Sequence, residues 1–259
     1  MIIIGAGGHA LEVLNELKQA NHSISAFYDE INVHVNELFG IPVYHELDEL
    51  PLESFVLGVG GPTLRRKLYE RFYGERYSES VISRTVQVSD FGVQLGEGLN
   101  LMHHVFIGPN VILGDGSLVN AKSSIHHDSK IGSFCEICIG VSIAGRCTIG
   151  NEVFIGMGAQ ILPGVTIGDQ AIIGAGAVVT KDVPAGVTVK GESLRSVSIR
   201  PTTETRYNDA FLLNGETTIN DLTLTGFQSG GNFYTTAYSD TLNPFFIIHK
   251  YKLIYKMQC

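Results

Sequence analysis

An aliphatic residue recurs at every sixth position of this chain: Leu95, Leu101, Ile107, Leu113, Val119 and Ile125, isoleucine at each step from Ile131 to Ile173, then Val179. Fifteen positions hold this register without an insertion. The following residue is often glycine, as at Gly96, Gly108, Gly114, Gly132, Gly150, Gly156, Gly168 and Gly174. An α-helix repeats near 3.6 residues and a strand at about two, so a lone beat of six fits neither. It fits a parallel β-helix, in which each hexad is one short flat side and about three hexads close a coil. One coil cannot bury its own aliphatic residue, but coils stacked ~4.8 Å apart line a common axis with them. Each such side chain contributes ~1.5–3 kcal/mol on burial, offset largely by the entropy of ordering the chain. Small residues after the aliphatic ones are expected to let the backbone turn each corner. The run from Leu95 to Pro184 is long enough for about five coils.

At 259 residues and a formal net charge of −8, the chain has room for one or two domains and is not expected to bind nucleic acid. An anionic small ligand needs only a local cluster of donors. No apolar run reaches the ~18 residues of a membrane span. Met1-Ile2-Ile3-Ile4-Gly5 carries no basic leader and no cleavage site, so the cytoplasm is the expected compartment. Cys135, Cys138 and Cys147 fall in successive hexads, and so on different faces of a coil. They cannot converge on one zinc ion, and with Cys259 they read as buried or surface thiols.

Three segments are expected: a small Rossmann-like α/β domain at 1–82, the all-β parallel β-helix at 83–194, and a β-rich extension of unknown role at 195–259. The first begins with an apolar run, then Gly5-Ala6-Gly7-Gly8-His9 and the helical pattern Ala10–Leu17. A second apolar segment, Ile24–Tyr28, ends in Asp29-Glu30. This reads as a truncated dinucleotide-type βαβ unit with phosphate-sized space over a helix N-terminus. A later strand, Phe55–Val59, meets Gly60-Gly61-Pro62 and a basic helix from Thr63 to Tyr73. Ala10 stands at the third glycine of the full fingerprint, and about 80 residues are too few for a complete dinucleotide domain. Two readings stand. The glycines close a turn, or they form a nucleotide-sugar site with Gly7, Gly8 and His9 at the phosphates and Asp29 at a sugar or base.

Within the repeat, His126-His127-Asp128 follows the interior Ile125, and Asn120 follows Val119. A histidine beside a carboxylate suits a general base whose imidazolium is stabilised by its neighbour. Adjacent strand residues point to opposite sides, so a surface reading of either histidine stays open. His103 and His104 lie 22 to 24 residues before His126 and His127. That is not a whole coil, so the two pairs sit on different faces and no metal site is expected within one subunit.

The Gly-Ala-Gly-Gly-His start, the hexapeptide coils, Ile125-His126-His127-Asp128-Ser129-Lys130-Ile131-Gly132 and Val178-Val179-Thr180-Lys181-Asp182-Val183-Pro184-Ala185-Gly186 together resemble a known family. It is that of sialic acid O-acetyltransferase and bacterial nucleotide-amino-sugar N-acetyltransferases. The resemblance covers roughly residues 1–192. It implies a left-handed β-helix in a homotrimer, with acyl-CoA in the groove between neighbouring β-helices and a nucleotide-linked sugar on the N-terminal domain. His127 matches the family's catalytic base and Asp128 its carboxylate assistant. Asn120 matches a position of the amino-sugar site, and Gly145 a glycine whose N–H meets the acetyl carbonyl. Gly145 also lies eighteen residues beyond His127, one coil above it. Lys181 reads either as a contact for a CoA phosphate or as a solvated lysine.

Two departures stand out. Glu136 replaces a second histidine near the acyl group, which opens an acyl chain other than acetyl. Gly191-Glu192-Ser193-Leu194 replaces the usual Gly-x-Pro-Ala close. The expected function is transfer from acetyl-CoA, or another acyl-CoA, to a nucleotide-linked 4-amino-4,6-dideoxy sugar for a surface glycan such as an O-antigen. Transfer is direct, with no metal. O-acetylation of a sialic acid-like sugar and a non-catalytic nucleotide-sugar-binding β-helix are the alternatives.

Overall fold

The computed structural model describes residues 1–190 and, beyond them, four strands: Thr223–Ser229, Asn232–Tyr238, Phe245–His249 and Lys252–Lys256. Met1–Ser193 forms one compact unit and Leu194–Cys259 another. The first unit opens with a five-stranded sheet. Its strands are β1 (Ile2–Ile4), β2 (Ala26–Tyr28), β3 (Glu37–Leu38), β4 (Ile41–Tyr44) and β5 (Phe55–Leu57), in the order β3-β4-β2-β1-β5. All neighbours run parallel except β3 against β4. Helix α1 (Gly8–Gln19) lays Ala10, Val13, Leu14 and Leu17 over Ile3, Phe27 and Val56. Helix α2 (Pro62–Phe72) covers the opposite face, where Tyr69 and Phe72 meet Ile2, Ile4 and Phe55. A sheet buried on both sides explains the unbroken apolar runs of its strands.

The β-helix follows with three parallel sheets of six, five and seven strands. Residues pair one coil apart, as in Ile125 with Ile143 and Ile143 with Ile161. The periodic aliphatic residues form one continuous buried core. It has six turns rather than the five read from strict hexads, because the seven-stranded face runs from Val81–Ile82 to Thr188–Val189. Val88 pairs with Ile107, nineteen residues on, whereas Leu95 pairs with Leu113, eighteen on. One extra residue in the first coil thus hides it from a six-residue count. The last coil is short: Ile173 pairs with Val189, sixteen on.

The corners are not turned where the expected glycines stand. Positive φ recurs every six residues from Gly98 to Gly176, three places after each aliphatic residue, and eight of these positions are not glycine. The glycines directly after the aliphatic residues are instead crowded by the next coil. A Cβ on Gly114 would lie 2.6 Å from the backbone of Gly132, and one on Gly132 2.5 Å from the Gly150 carbonyl. Small size there serves rung-to-rung approach, not backbone freedom.

A polar ladder runs inside the core. Ser117, Ser123 and Ser129 each donate to a carbonyl fifteen residues on and accept an N–H from eighteen on. Cys135 and Cys147 continue it, their thiols donating to the carbonyls of Gly150 and Leu162. Burial pushes the Cys135 and Cys138 thiols up to about 12, so these groups are inert at neutral pH.

The second unit's four strands pair antiparallel in chain order. The strand expected over Ile219–Thr225 begins at Thr223 among the described residues. Residues 219–222, Gly230-Gly231, Gly191–Leu194 and Cys259 lie outside them. Among the described residues no helix is long and apolar enough to cross a membrane.

Candidate active site

The β-helix is a three-edged prism, and each edge carries a column of turn residues spaced one coil apart. On the edge between the six- and five-stranded faces, Ile125 leads into His126, His127 and Asp128. Asp128 adopts φ +61°, a conformation that aspartate tolerates better than most residues. Its N–H donates to Pro109 O at 2.9 Å. Its carboxylate lies 2.8 Å from His127 Nδ1 and accepts from Asn110 Nδ2 at 3.0 Å. The His127 and Asn110 bonds hold the Asp128 carboxyl below its ordinary range, so it is ionised at neutral pH. With Nδ1–H turned to the carboxylate, Nε2 is left as the proton acceptor. Both side chains are about half exposed, so a substrate can reach them. His126 instead lays its ring against Phe106, centroids 5.4 Å apart.

Gly145 stands directly over the imidazole. A Cβ there would sit 2.5 Å from both His127 Nε2 and Cε1. The Arg146 N–H donates to His127 O at 2.9 Å and fixes that register. The same pairing, carried through Ser142, Gln160 and Val178, places Lys181 on this edge three rungs beyond His127, about 14 Å away. A base, a carboxylate that orients it and a backbone amide one rung above together suit proton removal from a nucleophile attacking a carbonyl.

Gly7, Gly8, His9 and Asp29 share a second place. They line a cleft of about 350 Å³ with Tyr28, Asn32 and the segment Gly58–Gly60. Burial lowers the affinity of His9 for a proton more than its Glu12 partner, 3.1 Å away, raises it. The ring at the mouth of α1 is therefore neutral. Asp29 differs from expectation in detail. Its two oxygens accept from the N–H groups of Ala6, Ile31 and Asn32 and from the Asn32 amide. Burial alone would raise its pKa, but these four bonds outweigh it and hold the carboxyl below its usual range. An ionised carboxylate has about four acceptor sites. Asp29 therefore shapes the cleft's loop, and its acceptors are already filled.

Two expected site residues lie elsewhere. Asn120 is on the edge between the seven- and six-stranded faces, in a cavity of about 520 Å³ walled by α1, Met102, His103 and Ile139. A whole face separates it from His127, so the two cannot meet within one chain. Glu136, expected beside the acyl group, sits on the seven-stranded face, where its carboxylate accepts the Gly61 N–H at 2.5 Å. Within one chain it belongs to the seam between the N-terminal domain and the β-helix. Sequence reading missed Asn110, which holds Asp128, and Arg65, whose guanidinium donates to Val59 O in the cleft wall. Asn110 was open to the eighteen-residue arithmetic that found Gly145. Arg65 had no signal, since a basic helix reads as a solvated one. The His103–His104 and His126–His127 pairs stand on different edges, and no metal-ligand cluster occurs among the described residues.

Comparisons with known proteins identify relatives of both parts of this chain. Residues 1–72 match the PglD N-terminal domain, and 146–181 the bacterial transferase hexapeptide model of six repeats. The structure superposes on a perosamine N-acetyltransferase from Caulobacter crescentus, solved with CoA and GDP-perosamine. The TM-score is 0.69 and the identity 31%, over 73% of this chain and 92% of that one. The acetyltransferase domain of PglB from Neisseria gonorrhoeae, solved with acetyl coenzyme A, matches at TM-score 0.68 and 29% identity over 73% and 95%. An acyl-[acyl-carrier-protein]–UDP-N-acetylglucosamine O-acyltransferase from Helicobacter pylori is 39% identical over 80 residues. That match spans 31% of this chain and 30% of the relative's length.

Proposed function

Since this chain belongs to the hexapeptide-repeat acyltransferases that carry a PglD-type N-terminal domain, we propose that it acylates a nucleotide-linked amino sugar. The donor is acyl-CoA, with acetyl-CoA the first to test. The acceptor is the amine of a 4-amino-4,6-dideoxy sugar made in the cytoplasm for a surface glycan. The observation that carries this reading is the His127–Asp128 pair, 2.8 Å apart, with Gly145 closed over the imidazole on an exposed edge.

The chemistry follows from those atoms. The sugar amine attacks the thioester carbonyl while His127 Nε2 takes its proton, and Asp128 stabilises the resulting imidazolium. Oxygen negative charge develops in the tetrahedral intermediate, and the Gly145 N–H is the donor assigned to it. Collapse breaks the C–S bond, and the imidazolium returns the proton to the CoA sulfur. No acyl-enzyme is required. Lys181, on the same edge, is suited to a phosphate of the CoA arm. The cleft at Gly7, Gly8 and His9 suits the acceptor's diphosphate over the N-terminus of α1.

Asn120 and the cleft lie away from the His127 edge, so the acceptor and the base meet where two copies adjoin. We therefore take the working enzyme to be the homotrimer that the resemblance implies.

The test is thiol release from acetyl-CoA with UDP-, dTDP- and GDP-linked 4-amino-4,6-dideoxy sugars, with the product identified by NMR. Turnover with one of them and an amide at C4 is the expected result. An ester product would move the reading to O-acylation, and silence with amino sugars, sialic acids and longer acyl-CoAs alike would overturn it.

A further inference from the structure

The seam between the N-terminal domain and the β-helix is built from polar groups. Arg65, on the first turn of α2, is wholly buried. Its guanidinium donates to Val59 O at 2.7 Å, to Gly116 O at 2.8 Å and to Asn100 Oδ1 at 3.0 Å. Asn100 in turn donates to Leu57 O at 2.7 Å. Val59 and Leu57 belong to the segment leaving β5, while Asn100 and Gly116 belong to the β-helix. Glu136 completes the seam at the other end of that segment. Its carboxylate accepts from Gly61 N, and a Cβ on Gly60 would lie 3.3 Å from both of its oxygens.

Helix α2 needs this partner. Its N-cap is Gly61, at φ +81°, with no side-chain cap and no acidic residue in the first turn. The carboxylate that complements the positive end of the helix dipole comes instead from 75 residues away. Its charge also stands against the buried guanidinium, which burial, opposed in part by Glu136, pushes down to about 9. The segment pinned in this way is one wall of the nucleotide-sized cleft, through Gly58, Val59 and Gly60.

We infer that Glu136 is a positioning residue for the acceptor. With Arg65 it clamps the Leu57–Gly61 wall of the cleft to the β-helix, so that a nucleotide-linked substrate is held at a fixed reach from the acyl site. The role assigned is to acceptor binding, not to the acyl chain, and it rests on the cleft being the acceptor site as proposed above. A carboxylate can do this where the family's histidine cannot, because it accepts the Gly61 N–H and offsets Arg65 at once.

The test uses the full-length chain and the variants Glu136→Ala and Glu136→Gln, each first shown to keep the wild-type circular dichroism spectrum. Hydrogen exchange without ligand reads the clamp itself. In Glu136→Ala the amides of residues 58–65 should exchange about tenfold faster or more, with peptides from 142–161 unchanged. Glu136→Gln, which can still accept the Gly61 N–H, should fall between. Equal exchange at 58–65 in Glu136→Ala and wild type would overturn the clamp. Calorimetry with UDP, dTDP and GDP, and separately with CoA, reads the consequence. Affinity for the diphosphate that wild type binds should fall about tenfold in Glu136→Ala, while CoA affinity stays the same. Undiminished nucleotide affinity, or a loss confined to CoA, overturns the positioning role alone. A wild-type chain that binds no nucleoside diphosphate overturns the acceptor-cleft reading, and this role with it.

Discussion

The β-helix and the N-terminal domain place their chemical groups by opposite means. In the β-helix a residue's neighbours follow from counting. His127, Gly145 and Lys181 share an edge because they stand eighteen residues or a multiple of eighteen apart, and the ladder of Ser124, Ser142 and Gln160 keeps that register. In the N-terminal domain every contact is particular. Asp29 gathers four donors around one carboxylate, and Arg65 joins three acceptors from separated parts of the chain. Repetition gives a rigid template on which a base and an amide are set one rung apart. Individual contacts give a cleft that can differ between relatives while the template stays the same.

If this contrast holds, damage in the stack should spread and damage in the domain should stay local. The largest effect is expected from Ile143→Asp. Ile143 is fully buried between Ile125 and Ile161, so an unpaired charge there should cost about 4 kcal/mol or more. The variant should be insoluble or molten by circular dichroism, and a folded, active protein would break the stack model. Gly145→Ala comes next. Its methyl group would meet the His127 ring, so kcat should fall about 100-fold, with Tm lowered by a few degrees. A kcat near wild type would separate the two residues.

Asp29→Asn tests the N-terminal domain. It should weaken nucleotide binding about tenfold and leave CoA binding unchanged in paired titrations. Its pH behaviour has a definite sign. The folded pKa of Asp29 is depressed, so its contribution is complete above the unfolded value of ~3.9 and is lost as pH falls through the folded one. The Asp29→Asn variant should flatten that acid limb of a Tm-against-pH curve. The smallest effect is Gln170→Gly. Gln170 holds φ +58° at a corner where other coils use glycine, and relief of that strain should raise stability by ~0.5–1 kcal/mol in urea unfolding.

How much of this was readable from the chain divides along the same line. The periodic residues announced the β-helix, its axis and the stacking of Gly145 on His127, because a repeat turns sequence separation into spatial separation. The count failed at the first coil, where the extra residue before Gly92 shifts the register. It also misread the glycines, since period six is shared by the crowded positions and by the left-handed corners that follow them. Nothing periodic marks Arg65 or its acceptors. A long-range contact between a basic helix and a carbonyl on another element leaves no trace in local composition. Glu136 was visible as a departure from its relatives, but its partner, a backbone N–H 75 residues earlier, was not.

In the proposed mechanism the rung beneath Gly145 makes His127, and not its neighbour His126, the base. Thiol release from acetyl-CoA with the turned-over nucleotide sugar, measured for His126→Ala and His127→Ala side by side, tests it directly. His127→Ala should lose about 1,000-fold in kcat while His126→Ala stays within about twofold of wild type. Equal losses, or the reverse order, would contradict it.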